Sequence, residues 1–213
     1  MAQNALATNV QNAAVFDGVT LAQVQSVFAN TKFNDESFIV TQRQTSAGTP
    51  YLAVTAASLP FTIFMSGANE EFSGDGDGVY AGVIFFTPMN LTSFGHADIH
   101  EFNRIHKFVK LTPIDNNFAY SVEMLAAGGV TEGAIVNALV PFFNGIESIL
   151  TIVTTQTVSY DAPRSIATID GGGISIAAGA FSGASKLNNM APDPNEERRI
   201  QSFADDAARS GLR

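Results

Sequence analysis

All three histidines of the chain, His96, His100 and His106, lie between positions 96 and 106, beside Asp98 and Glu101. His96 and His100 are four apart, a spacing that sets two imidazoles on one helical face around a metal ion. With Glu101 they would form the ligand set of a metal-dependent enzyme. Against that chemistry stands Asp98, whose best use is as the N-cap of a helix over about 99–106, with Glu101 closing a capping box. His96 then falls outside the helix. His106 follows Ile99 by seven residues, on the apolar side, and points toward the core edge. Polar residues at a helix start explain the group better than a metal site.

A second acidic group, Glu70, Glu71, Asp75 and Asp77, surrounds Ser-Gly-Asp-Gly-Asp-Gly at 73–78. Hard cations want oxygens, but the twelve-residue calcium loop with its terminal bidentate Glu is missing. A solvated hairpin tip is expected. Gly171-Gly172-Gly173 lacks the Lys-Ser/Thr of a phosphate loop. With no Cys and no evident Ser–His pairing, nucleophilic catalysis finds no support, and no catalytic residue, metal or cofactor is expected.

These residues must be positioned by the surrounding elements. Thr20-Leu-Ala-Gln23 fits a capping box, and Leu21, Val24, Val27 and Phe28 follow at helical spacing, predicting a helix over about 20–30. Strand candidates are Ser37–Arg43, then Tyr51–Val54 and Phe61–Met65, as one bent strand or two broken at Pro60. Val79–Thr87 is almost continuously apolar, as a strand covered on both faces would be. Phe108–Ile114 and Phe118–Leu125 flank the turn triplet Asp115-Asn116-Asn117. Phe118, Tyr120, Val122 and Met124 alternate with polar or small residues, which puts them on one face of a hairpin strand.

Gly128-Gly129 ends that strand. Val130 and Ile135 then stand at the two positions of a hydrophobic staple around an N-cap Thr131. Ile135, Leu139, Phe142, Ile146 and Leu150 continue at helical spacing, and Pro141 should bend the helix near 131–150 in its middle. The predicted class is α+β: a mostly antiparallel five-stranded sheet with helices packed on one face, in the order α-β-β-β-α-β-β-α.

Residues 1–17 read as a flexible N-terminal arm, 18–150 as the α+β domain, and 151–191 as a Gly/Ala/Ser-rich extension or linker. A C-terminal amphipathic helix over 192–213 is marked by Asp193-Pro-Asn-Glu196, with Ile200, Phe203, Ala204 and Ala207 as its apolar stripe.

Among the 213 residues 46% are apolar, with 17 Phe, enough for a core without metals or disulfides. The absence of Cys rules out disulfides and thiolate chemistry. Net charge is −9, from 20 acidic and 11 basic residues, so phosphate backbones are repelled and nucleic-acid binding is not expected. The densest basic groupings are Arg104–Lys107–Lys110 and Arg198–Arg199. The stretch 134–153 is interrupted by Asn137, Pro141, Asn144 and Glu147, so no membrane span is expected. Met1–Asn9 lacks the basic and apolar regions of a secretory signal, which makes the cytoplasm the expected location.

Phe102-Asn103, Lys107-Phe108 and Gly128-Gly129-Val130-Thr131-Glu132 together resemble the YbjN-like family of bacterial sensory-transduction regulators. That family usually has Trp-Asn at the first motif and Arg-Phe at the second. The resemblance covers roughly 18–150 and implies a fold similar to type III secretion chaperones, which dimerise and lay partner segments along apolar grooves. It implies a protein-binding role, with Phe102, Asn103 and Phe108 as candidate contact residues; outside the resemblance, the apolar stripe of the tail helix adds Ile200 and Phe203 as candidate partner contacts.

Three functional expectations follow. The preferred one is a non-enzymatic protein-binding module, a regulator or chaperone-like adaptor, with protein partners and a homodimer or larger assembly. The second is a structural subunit whose arms, 1–17 and 151–213, contact neighbours. The third is a metal-dependent enzyme using His96, His100 and Glu101.

Overall fold

Cap chemistry sets the first helix among the described residues, as its sequence predicts. In the computed structural model Thr20 Oγ1 accepts a hydrogen bond from the Gln23 N–H at 3.1 Å, and Gln23 Oε1 accepts from the Thr20 N–H at 2.8 Å. These reciprocal bonds satisfy amides that the helix leaves unpaired. Helix α1 (Leu21–Ala29) buries Val24, Val27 and Phe28. The structure describes residues 15–16, 18–33, 36–45, 48–56, 59–68, 78–89, 91, 94–114, 117–155, 167–170, 173–176, 198 and 200.

The centre is an antiparallel sheet of six strands: β4 (Ile39–Gln44), β5 (Pro50–Ala56), β6 (Leu59–Ala68), β7 (Tyr80–Met89), β9 (Asn117–Leu125) and β8 (Lys110–Ile114), in that spatial order. The segments around Tyr51–Val54 and Phe61–Met65 are two paired strands, with Leu52 opposite Ile63, so the sheet has one strand beyond the five expected. Pro60 is the second residue of β6, near the strand start where a missing N–H is tolerated. The register would set it opposite Pro88, and pairing of β6 with β7 stops at Thr62–Phe86. Neither ring offers a donor there, and the Thr87 hydroxyl donates to Pro60 O at 3.5 Å instead.

Side chains alternate between the two faces. One face carries Leu52, Val54, Phe61, Ile63, Val83, Phe85, Leu111, Tyr120 and Val122 into the main core, under the helices. The other carries Tyr51, Phe64, Ile84, Phe86, Ile114 and Ala119 into a second apolar cluster. The unbroken apolar run of β7 thus serves both sides. The hairpin β8–β9 pairs Leu111 with Tyr120, and Val122 and Tyr120 face the core as their alternation predicts.

Strand β10 (Val130–Thr131) leads into α3 (Glu132–Asn137), where Thr131 Oγ1 accepts from the Ala134 N–H at 3.2 Å. Val130 and Ile135, the expected staple, are both buried. A break at Ala138 separates α3 from α4 (Leu139–Thr155). Pro141 is the cause. Its ring clashes with the carbonyl four residues back, at Asn137, the last residue of α3, and it lacks an N–H. Within the first turn of α4 that N–H is not needed. The segment Glu132–Ile152 is long and apolar enough to cross a membrane by length and composition. In this fold its apolar residues Ile135, Leu139, Phe142, Ile146 and Ile149 are buried in the main core. Tyr120, fully buried, shares its hydroxyl between Phe142 O at 2.7 Å and Pro141 O at 3.1 Å, tying the sheet to the start of α4.

Two smaller sheets use segments expected as arm and linker. β1 (Val15–Phe16) pairs antiparallel with β10. β11 (Ala167–Asp170) and β12 (Gly173–Ile176) form a hairpin, and β12 runs parallel to β2 (Thr31–Phe33), which pairs with β3 (Glu36–Ser37). Helices, a mixed small sheet and a large antiparallel sheet make this an α+β protein, as the residue patterns predict.

Candidate protein-contact surface

The corner between helix α2 (His96–Ile105) and β8 holds most of the residues singled out by the sequence. The helix begins earlier than expected. Gly95 is its N-cap, and Asp98 sits at the third helical position, where Oδ2 accepts from the Gly95 N–H at 2.8 Å. Asp98 is therefore the acid of a capping box and not the N-cap, and His96 lies inside the first turn. The physical reason is that Gly tolerates the N-cap conformation without a side-chain bond, and a carboxylate one turn in still meets the free amides. His96 and His100 do share one helix, and both are exposed. Among the described residues no three His, Asp or Glu side chains gather to hold a metal. Glu70, Glu71, Asp75 and Asp77 lie outside the described residues.

Phe102 is fully buried, with its ring stacked on His106 at 4.5 Å and edge-on to Tyr120 at 6.3 Å. It anchors α2 to the core and shows no surface to a partner. Asn103 does something the sequence did not announce. Its Nδ2 donates to Leu111 O at 2.9 Å, and its Oδ1 accepts from the Leu111 N–H at 2.8 Å. β8 is an edge strand, so the outward backbone groups of Leu111 would otherwise face solvent. The Asn amide completes them as a neighbouring strand would, and two such bonds are worth roughly 1 kcal/mol each. A clasp of this kind fixes the turn between α2 and β8.

That turn carries Phe108, which is 71% exposed, between exposed Lys107 and Lys110. Val109 beside it is buried and pins the backbone. One turn earlier, Arg104 Nε and Nη2 donate to Glu101 Oε2 and Oε1 at 2.8 and 2.6 Å. The bidentate bond to Arg104 holds the Glu101 carboxyl below its ordinary value and raises Arg104. Arg104 is thus neutralised locally, and Lys107 and Lys110 supply the positive charge flanking the aromatic ring.

A Ser–His pairing does exist, contrary to the sequence expectation. His106 Nε2 and Ser148 Oγ are 2.9 Å apart, across 42 residues of sequence. Such a contact is set by how α2 packs on α4, which no local pattern reveals. The distance matches that of an activated nucleophile. Both residues are under a tenth exposed, at 8% and 6%. The pair acts as a buried polar tie between two helices.

The outer face of the sheet receives Ile200, 6% exposed, in the cluster with Tyr51, Phe64, Ile84, Phe86, Ile114 and Ala119. Tyr51–Phe64 and Phe64–Phe86 ring centroids are 5.6 and 5.9 Å apart. Arg198 and Ile200 are helical, Arg198 is exposed, and Ile200 packs on the sheet of its own chain. Phe203 lies outside the described residues. Compared with known proteins, the chain matches no family model, no curated protein and no solved structure.

Proposed function

We propose that the chain is a non-enzymatic protein-binding module, a regulator or adaptor, that engages an acidic partner segment at the corner between α2 and β8. The observation that carries this reading is Phe108: a large aromatic side chain, 71% exposed, on a turn fixed by the Asn103 clasp and flanked by two lysines. Aromatic side chains are enriched at protein interfaces, where they act as anchors. An acidic segment would gain both burial of the ring and attraction to Lys107 and Lys110. The helix–hairpin–helix order α2–β8–β9–α3 supports membership of the YbjN-like family as part of the same proposal, and a cytoplasmic location goes with it.

The second reading, a structural subunit with arms that order on neighbours, has less support. Val15–Phe16 and Ile200 both fold back on their own chain.

A photo-crosslinking residue at position 108, compared with one at exposed Thr112, tests the proposal in cells. The expected result is a discrete adduct from position 108 that is lost when Lys107 and Lys110 are both changed to Glu. Equal labelling from both positions, insensitive to the lysines, would contradict it.

A further inference from the structure

The two edges of the six-stranded sheet are treated differently. On β8, Asn103 occupies the outward groups of Leu111, and Pro113, two residues on, has no N–H to offer. That edge is closed to strand addition. On β4, among the described residues, no such guard stands beyond Phe38.

Which groups of β4 face outward follows from the register. Backbone groups in an antiparallel ladder alternate between neighbours. Leu111 turns its groups away from β9, so its partner Tyr120 turns toward β7 and meets Thr87. Carried through Phe86–Thr62, Ile63–Leu52 and Ala53–Thr41, the alternation leaves Val40, Gln42 and Gln44 with N–H and C=O directed away from β5. An independent bond agrees: the Phe38 N–H, of the same parity, donates to Thr31 O on that outer side at 3.3 Å. β2 therefore covers the edge up to Phe38. Beyond it, among the described residues, no strand pairs with the outer side of β4. Thr41, Gln42, Arg43 and Gln44 are exposed, and Ile39 is 67% exposed.

We infer that the free edge of β4 pairs antiparallel with β4 of a second copy of this chain, about a two-fold axis at Gln42, joining two six-stranded sheets into one. The composition of the strand selects this partner and this register. Gln42 then opposes Gln42, whose side-chain amides offer both donor and acceptor to each other. Val40 opposes Gln44, and each outward-facing pair exchanges two backbone bonds. Arg43, the one charged residue of the strand, opposes Thr41 of the other copy and never meets itself. A shift by one residue pair in one direction would set Arg43 against Arg43, which like-charge repulsion disfavours, and in the other it would set Gln44 against Phe38, whose outward N–H is already bonded to Thr31 O. Ile39 comes to lie against Thr45 of the other copy, which covers part of its exposed surface. The β2 segments of both copies fall outside the shared stretch, because each ends its pairing at Phe38. A foreign strand would meet no such self-matched pattern.

This inference goes beyond the binding role proposed above and uses a different element, so the two fail separately. Sedimentation equilibrium of the full chain from about 1 to 500 μM is the test. Wild type is expected to self-associate reversibly. Gln42→Pro removes the central outward donor without touching the bonds to β5 and should weaken association about tenfold or more. Gln42→Lys and Gln42→Glu should each be monomeric through repulsion at the axis, and an equimolar mixture of the two should associate again. That rescue cannot arise from misfolding. A monomeric wild type, or a dimer indifferent to all three substitutions, would overturn the inference. Phe108→Ala should leave self-association unchanged, while the Gln42 variants should retain the adduct at position 108. Loss of that adduct with intact self-association would sink only the earlier proposal.

Discussion

Gly145 sits in α4 where the Tyr120 ring crosses it, and replacing it with Ala is the sharpest test of how the sheet is locked to the helices. A methyl at position 145 would stand 2.9 Å from Cζ and 3.1 Å from Cε2 of Tyr120, and closer still to its hydroxyl. The ring is fully buried against Phe102 and Phe142, so it cannot swing aside freely. Overpacking a core of this kind costs about 1–3 kcal/mol. Displacing the hydroxyl from Phe142 O and Pro141 O adds about 1–3 kcal/mol for a buried donor left unpaired. Ala in place of Gly inside a helix returns about 1 kcal/mol. The net expectation for Gly145→Ala is a loss of about 1–5 kcal/mol. Tyr120→Phe alone should cost about 1 kcal/mol through the lost bond. In the double variant the closest clash is gone, so the two effects should fall short of their sum by about 1 kcal/mol or more. Urea unfolding followed by far-UV circular dichroism measures all three, since the chain has no Trp. A Gly145→Ala protein as stable as wild type, or strictly additive effects, would refute the packing described.

Other consequences are measurable in the same preparations. Burial raises the Tyr120 pKa well above the ordinary value of 10.0. Its contribution to stability is complete below about pH 10 and is lost as pH rises further, because only the unfolded chain releases the proton there. Wild type should therefore lose stability above that pH faster than Tyr120→Phe, and parallel curves would count against the assignment. Asn103→Ala should cost about 2 kcal/mol and speed hydrogen exchange at the Leu111 amide, whereas unchanged exchange there would mean the clasp is not made in solution. Ile200→Asp, which places a charge in the outer cluster, should raise binding of an apolar dye and exchange in β6 and β7; no change would place the tail elsewhere.

The local signals in the sequence translated well because they act over three or four residues. Thr20 with Gln23, Thr131 with Ala134, Pro141 at the helix break, and the alternation through Phe118–Met124 all report short-range sterics and hydrogen bonding. The start of α2 was misplaced because Asp98 serves equally well as N-cap or third-position acid, and only the backbone at Gly95 decides. The apolar run of β7 announced coverage on both faces, but not that Ile200, more than a hundred residues away, helps cover the second. Asn103 carried one weak sign, a polar amide in a helix interior where its propensity is poor. Its partner Leu111 could not be read without knowing that β8 is an edge. The contact of His106 with Ser148 had no sequence signal, since it joins two helices that meet only after the sheet is assembled. Phe108 was legible as a motif residue; its exposure was not.

If Phe108 and its flanking lysines form a surface for another polypeptide, as proposed, the partner recovered through the position-108 adduct can be titrated against wild type and Phe108→Ala in low and high salt. The account predicts a loss of about tenfold or more in affinity for Phe108→Ala, and a wild-type affinity that falls as salt rises. Equal affinities for the two proteins, with no dependence on salt, would contradict it.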